Sequence, residues 1–269
     1  MNKKQTKALN NNNNKLKNVI YDENCSEMPY FDDLVADLLK EGINVYRSGI
    51  PVNAGDSLYI CAGEESVAFA KAEDMAFVCC KTKDRDAECI IEGFDEVDAD
   101  FIIKMYQRKH GLPWFVCETD RLIIREFSMS DGLEIFPEKS DLPDYNELYI
   151  KNVYGFFGYG IWAVVNKKTG EIIGRAGLMN SEKLEGIELG YEIFEAFRGR
   201  GFALEACEGI ITAALKRYGI EKLYAMCDIH NTASVNLLEK LGFKEYGEEN
   251  EPGIAKYMLN IVDNSILRV

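Results

Sequence analysis

The run Ile187 to Leu204, IELGYEIFEAFRGRGFAL, constrains this chain more than any other. Ile187, Leu189, Tyr191 and Ile193 fall on one face and Glu188, Gly190 and Glu192 on the other, the period-2 pattern of a strand. Arg198-Gly199-Arg200-Gly201-Phe202-Ala203 follows, and then an apolar rhythm of helical spacing through Leu204, Cys207, Ile211 and Tyr218. The order is strand, glycine-rich turn, helix. Such a turn leaves backbone N–H groups unpaired at the positive end of a helix dipole, where an anionic phosphate is favoured. Two arginines add charge, and two glycines allow close backbone approach.

The spacing excludes a P-loop, because no Gly-Lys-Ser/Thr follows, and GxGxxG, because position 204 is Leu. Arg198, Gly201 and Ala203 fit R/Q-x-x-G-x-G/A, which resembles the coenzyme A pyrophosphate loop of the GNAT acetyltransferase superfamily. An ordinary strand–helix turn with glycines for tightness reads the same over six residues, so the rest of the chain decides.

Three further stretches carry the resemblance. Glu118-Thr119-Asp120-Arg121-Leu122-Ile123-Ile124-Arg125 is similar to the ET-x-R-L-x-L-R first strand of the branch that includes ribosomal-protein N-terminal alanine acetyltransferases. Asn231-Thr232-Ala233-Ser234 and Leu238-Glu239-Lys240-Leu241-Gly242-Phe243 resemble that family's closing motifs. Between them, Ser130 and Asp131 offer a helix start and 144–157 a second helix. Ile161–Val165 and Glu171–Leu178 form a hairpin, and Lys222–Asp228 and Ala255–Ile261 are strands. The resemblance covers about 115–265. It implies an α/β (α+β) fold, with a GNAT-like, mainly antiparallel mixed sheet flanked by helices over 114–269.

Upstream, residues 1–20 read as a disordered tail, polar and marked by the run Asn10 to Asn14. Residues 28–111 read as a small α/β domain of order α-β-α-β-β-α with no catalytic motif, joined to the rest through Gly111-Leu112-Pro113. The net charge of −14 argues against nucleic acid as a partner and leaves a basic peptide or a polyamine open as substrate. The excess is concentrated in 21–111, with nine bases against twenty acids. The eight cysteines form no C-x-x-C and no metal-ligand spacing, so no metal is expected. Several sit inside apolar runs, as in Tyr59-Ile60-Cys61 and Phe77-Val78-Cys79, and with no membrane-length apolar segment and no signal-peptide h-region this points to a cytoplasmic protein.

The resemblance implies an acetyl-CoA-dependent N-acetyltransferase acting on a primary amine, either a peptide N-terminus or a small molecule. It places pantetheine against the backbone of Ile193 and Phe194 and the pyrophosphate on Arg198, Gly199, Arg200, Gly201, Phe202 and Ala203. Asn231 contacts pantetheine or merely caps its helix. Glu188 is the candidate base, its alternative being a strand carboxylate paired with a neighbouring cation, and Glu192 is a second carboxylate on that face. The family's usual thiolate-protonating Tyr is replaced by Leu238, which leaves Ser234 to hydrogen-bond the sulfur or simply to cap its helix. A coenzyme A-binding module without turnover is the competing reading. For 28–111 the expected roles are shaping acceptor access or self-association, for instance as a homodimer.

Overall fold

The computed structural model describes residues 15–262 apart from 85, 134, 140, 143, 182, 185 and 247–251. The chain divides into two compact units, 1–114 and 115–269. Residues 1–14 of the expected tail lie outside the described residues.

The first unit is a parallel sheet with helices. Its elements are β1 (Asn18–Tyr21), α1 (Glu23–Ser26), α2 (Phe31–Lys40), β2 (Asn44–Arg47), β3 (Ser57–Cys61), α3 (Glu64–Ala72), β4 (Ala76–Cys80), β5 (Cys89–Ile91) and α4 (Ala99–Lys109). The strand order is β2-β1-β3-β4-β5. This corrects the tail boundary. Leu16 is buried and Asn18–Tyr21 is an inner strand, paired in parallel with both Asn44–Arg47 and Ser57–Cys61. The stripe of α2, read from Phe31, Leu34 and Leu38, packs on one side of the sheet with Ile102 and Met105 of α4. Val67 and Ala70 of α3 pack on the other with Tyr59 and Phe77. Open parallel sheets bind ligands where the strand order reverses, here beyond the ends of β1 and β3. At that point the Asp22 carboxylate accepts hydrogen bonds from Tyr59 Oη at 2.9 Å, Ala62 N at 2.7 Å and Ser66 Oγ at 2.6 Å. Asp22 thus ties the end of β1 to β3, to the loop before α3 and to the Ser66 hydroxyl on it.

The second unit holds an eight-stranded sheet of order β12-β13-β11-β10-β9-β8-β7-β6. The strands are β6 (Phe115–Glu118), β7 (Leu122–Arg125), β8 (Ile161–Asn166), β9 (Ile172–Ser181), β10 (Gly186–Ile193), β11 (Lys222–Asp228), β12 (Lys244–Glu245) and β13 (Ile254–Asn260). Among the described residues every pairing is antiparallel except β10 with β11, which are joined by the crossover helix α7 (Phe202–Tyr218). The helix α8 (Thr232–Lys240) follows β11.

Two sequence expectations change here. The ET-x-R-L-x-L-R stretch is a hairpin rather than one strand, because Thr119, Asp120 and Arg121 form its turn, with Leu122 N donating to Thr119 Oγ1 at 3.1 Å. The helix start falls at Ser128 rather than Ser130. Ser128 and Asp131 form a capping box around the single turn Met129–Asp131, and Asp131 also accepts from Arg125 Nη1 and Nη2. The second helix exists as α5 (Tyr145–Leu148) and α6 (Tyr154–Phe157), separated by a π turn at Tyr149–Val153. Trp162, Leu122, Ile124, Leu178, Ala206 and Ile210 are all fully buried between the sheet and its helices.

Candidate active site

The two parallel strands pair at one register position, Glu188↔Tyr224. Beyond it β10 continues to Ile193 and β11 to Asp228, and a cavity of about 490 Å³ opens between β10, the glycine loop and α8. That is an ordinary size for a small-molecule site. Its wall includes Tyr191, Glu192, Ile193, Arg198, Gly199, Gly201, Phe202 and Ala203 from the strand and loop, and Asn231, Ser234, Asn236 and Lys240 from the α8 side.

The register of β10 against β9 decides which backbone groups face this opening. Phe194 N donates to Ile173 O at 2.9 Å. Hydrogen-bonded and non-bonded positions alternate along an antiparallel ladder, so Glu192, Gly190 and Glu188 also turn their backbone groups toward β9. Tyr191 and Ile193 turn theirs the other way, toward the gap. The Phe194 expectation is therefore corrected. Its N–H is taken by Ile173 O, its carbonyl accepts from Phe197 N at 2.8 Å, and it lies outside the cavity wall. Ile193 keeps its N–H on the open edge, while its carbonyl accepts from Arg198 Nε at 2.8 Å.

The loop is shaped by two left-handed glycines, Gly199 at φ +74° and Gly201 at φ +78°, the second capping α7. A Cβ at Gly199 would meet nothing within 4 Å, so the backbone is bare on its open side. Arg200, expected among the cofactor contacts, turns its guanidinium back to Ala196 O at 3.0 Å and over the Phe197 ring, and is not part of the wall.

Glu188 sits at the meeting point of β10 and β11, outside the cavity wall. Burial raises its carboxyl above the ordinary carboxylate range, with a hydrogen bond from Ser181 and the charge of Lys183 pulling the other way. Glu192 is unsuited to proton transfer. Arg175 holds it through Nε at 2.9 Å and Nη2 at 2.8 Å, and Arg198 Nη2 lies 3.9 Å away. Leu238 is buried in the core. Two hydroxyls line the cavity instead, Ser234 and Tyr191, the latter pushed up to about 12 by burial and 3.5 Å from Ser234 O. Asn231 caps α8 by accepting from Ser234 N at 3.2 Å and also lines the cavity. Sequence reasoning missed Tyr191, Asn236 and Lys240 as wall residues. Ala233, Leu237 and Lys240 fall on the helical face that lines the cavity, at i, i+4 and i+7.

Residues 124–244 match the family model described as Acetyltransferase (GNAT) domain. The C-terminal half carries a GNAT acetyltransferase domain. Similar curated proteins are two N-acetyltransferases of Bacillus subtilis (strain 168), both described as uncharacterized. YjdG is 34% identical over 103 residues, which cover 38% of this chain and 61% of YjdG. YoaA is 29% identical over 149 residues, covering 49% of this chain and 84% of YoaA. The chain thus spans about three-fifths of YjdG. Among solved structures, the acetyltransferase of Agrobacterium tumefaciens strain C58 aligns at 23% identity and a TM-score of 0.44, covering 53% of this chain and 92% of that one.

The donor of the GNAT family is acetyl-CoA. The residues present suit it. Bare glycine backbone at a helix start favours a pyrophosphate, the outward edge of Tyr191 and Ile193 suits an amide-bearing arm, and Arg198 and Lys240 supply positive charge.

Proposed function

We propose that this chain is an acetyl-CoA-dependent N-acetyltransferase that acts on a primary amine, a peptide N-terminus or a small amine. The observation that carries the reading is the parting of β10 and β11 beyond Glu188↔Tyr224, into a cavity floored by the glycine loop. Bound there, acetyl-CoA supplies an acetyl thioester and its phosphates. Backbone N–H groups of Gly199, Gly201, Phe202 and Ala203 hold the phosphates, and the edge of Tyr191 and Ile193 orients the arm. The Ile193 N–H faces the gap and is placed to polarise a carbonyl held along that edge.

Glu188 accepts the proton of the incoming ammonium, directly or through water. Its burial suits that task, because a carboxyl raised toward working pH is a better base than an ordinary one. With Leu238 in the core, the hydroxyls of Tyr191 and Ser234 are the groups that can donate to the departing sulfur. The excess of acids in 21–111 favours a cationic acceptor.

The test is release of free thiol from acetyl-CoA with a panel of peptide N-termini, polyamines and small amines. Thiol release with at least one acceptor supports the reading. Coenzyme binding without release from any acceptor favours the non-catalytic module, for which the buried Leu238 speaks. Absence of coenzyme binding overturns both.

A further inference from the structure

The turn between β6 and β7 precedes residues 124–244, which match the family model, and it reaches the glycine loop. Glu205, in the first turn of α7, accepts from Thr119 Oγ1 at 2.5 Å, Arg121 N at 2.7 Å and Arg121 Nε at 2.6 Å. Arg121 Nη1 donates to Arg200 O at 3.0 Å, and the guanidinium lies 4.5 Å from the centre of the Phe202 ring. The turn is itself fixed from the far side, where Lys167 N donates to Arg121 O at 2.9 Å. We propose that Arg121 is a positioning residue for the phosphate loop, an inference that rests on the coenzyme reading above.

Two physical arguments support it. The first is orientation. A trans peptide points its C=O and the following N–H in opposite directions. By holding Arg200 O, Arg121 turns the Gly201 N–H away from itself, and Gly201 lines the cavity. The second is charge. Glu205 places a carboxylate at the same helix start that is to receive an anion. Its side chain is only 16% exposed, so water screens it little. Burial pushes its carboxyl up, but the bonds from Thr119 and Arg121 outweigh this and hold it below its ordinary value, so it stays ionised. The Arg121 charge cancels that carboxylate where an anion has to bind. A fork of N–H donors can meet a carboxylate and a carbonyl together, as a lysine ammonium cannot in the same geometry.

The experiment is calorimetry on the full chain with coenzyme A and with pantetheine, which lacks the phosphates. For Arg121→Ala, coenzyme A affinity should fall by about ten-fold or more while pantetheine affinity stays put. Adding Glu205→Gln to that variant should recover part of the loss by removing the unbalanced carboxylate. Arg121→Lys, which keeps the charge and the stem, should show a smaller loss and gives a folded protein if the alanine variant does not. Equal losses for the two ligands would mean a general structural role and overturn the proposal, as would no loss for either. If the unsubstituted chain fails to bind coenzyme A, the coenzyme reading itself falls, and the positioning role with it.

Discussion

Gly199 and Gly219 form a matched pair for testing the phosphate loop. Both are left-handed, at φ +74° and φ +62°, and a Cβ at either would meet nothing within 4 Å. They lie near opposite ends of α7, Gly199 in the cavity wall and Gly219 as the C-cap. Substitution by Ala therefore carries the same backbone strain at both sites and no clash within the protein at either. That strain is about 1–2 kcal/mol. At Gly219 all of it should appear as lost stability, a fall in Tm of roughly 2–8 °C for a unit of this size. At Gly199 the loop can relax in the free protein and must return to the left-handed geometry on binding. The same strain then weakens coenzyme A binding by about 5–30-fold, and the methyl facing the open side of the loop adds to the loss. Calorimetry with coenzyme A and thermal unfolding on both variants check this. Equal changes in affinity for Gly199→Ala and Gly219→Ala, or unchanged affinity in Gly199→Ala, would refute the placement of the phosphates on this loop.

Three other outcomes are expected. Glu188→Gln should leave coenzyme affinity nearly intact and slow turnover, and it should remove the acid limb of the pH–rate profile, which lies above the ordinary carboxylate range because burial raises this carboxyl; a wild-type profile from pH 6 to 9 would exclude Glu188 as the base. Glu88, which accepts from Phe77 N at 2.6 Å, is raised to about 7 by burial. Its folded value exceeds the unfolded one, so its contribution is fully present below the ordinary carboxylate value and is lost as pH rises through about 7. The N-terminal unit should thus lose on the order of 3 kcal/mol across that window, and Glu88→Gln should flatten the dependence in pH-resolved denaturant melts; a flat wild-type curve would count against the burial argument. Residues 115–269 expressed alone should fold and bind coenzyme A as the full chain does, since the cavity is lined entirely from that unit; a folded fragment without binding would make residues 1–114 part of the site.

The elements with strong local signals were legible in the sequence. The alternation of Ile187 to Ile193, the helix opened by the glycine loop and the strand Lys222–Asp228 all stand where the pattern puts them. The strands β1 and β2 were not, for a local reason. Each is four residues long, and NVIY and NVYR carry no run long enough to set a period. The turn at Thr119–Arg121 was hidden because a polar triplet inside a family-like strand motif reads as strand until its pairing partner is known.

The two carboxylates of β10 show where local reasoning ends. Glu188 and Glu192 share a face, and the sequence offers both as carboxylates, with Glu188 put first as the base. What separates them is the neighbouring strand. The register sets Glu192 opposite Arg175, whose guanidinium takes the carboxylate into an ion pair, and sets Glu188 opposite Met179, which offers no charge. A slip of β9 by four residues would exchange their fates without altering β10. The same register turns the Phe194 N–H onto β9 and the Ile193 N–H toward the gap. Proton-transfer candidate and carbonyl-polarising candidate are thus chosen by one non-local pairing. Moving the cation tests this directly. Arg175→Met with Met179→Arg should place the ion pair on Glu188 and lower its carboxyl toward or below the ordinary range, moving the acid limb of the rate profile to lower pH while slowing turnover. An unmoved limb in the folded double variant would show that the neighbour across β9 does not decide which carboxylate is free.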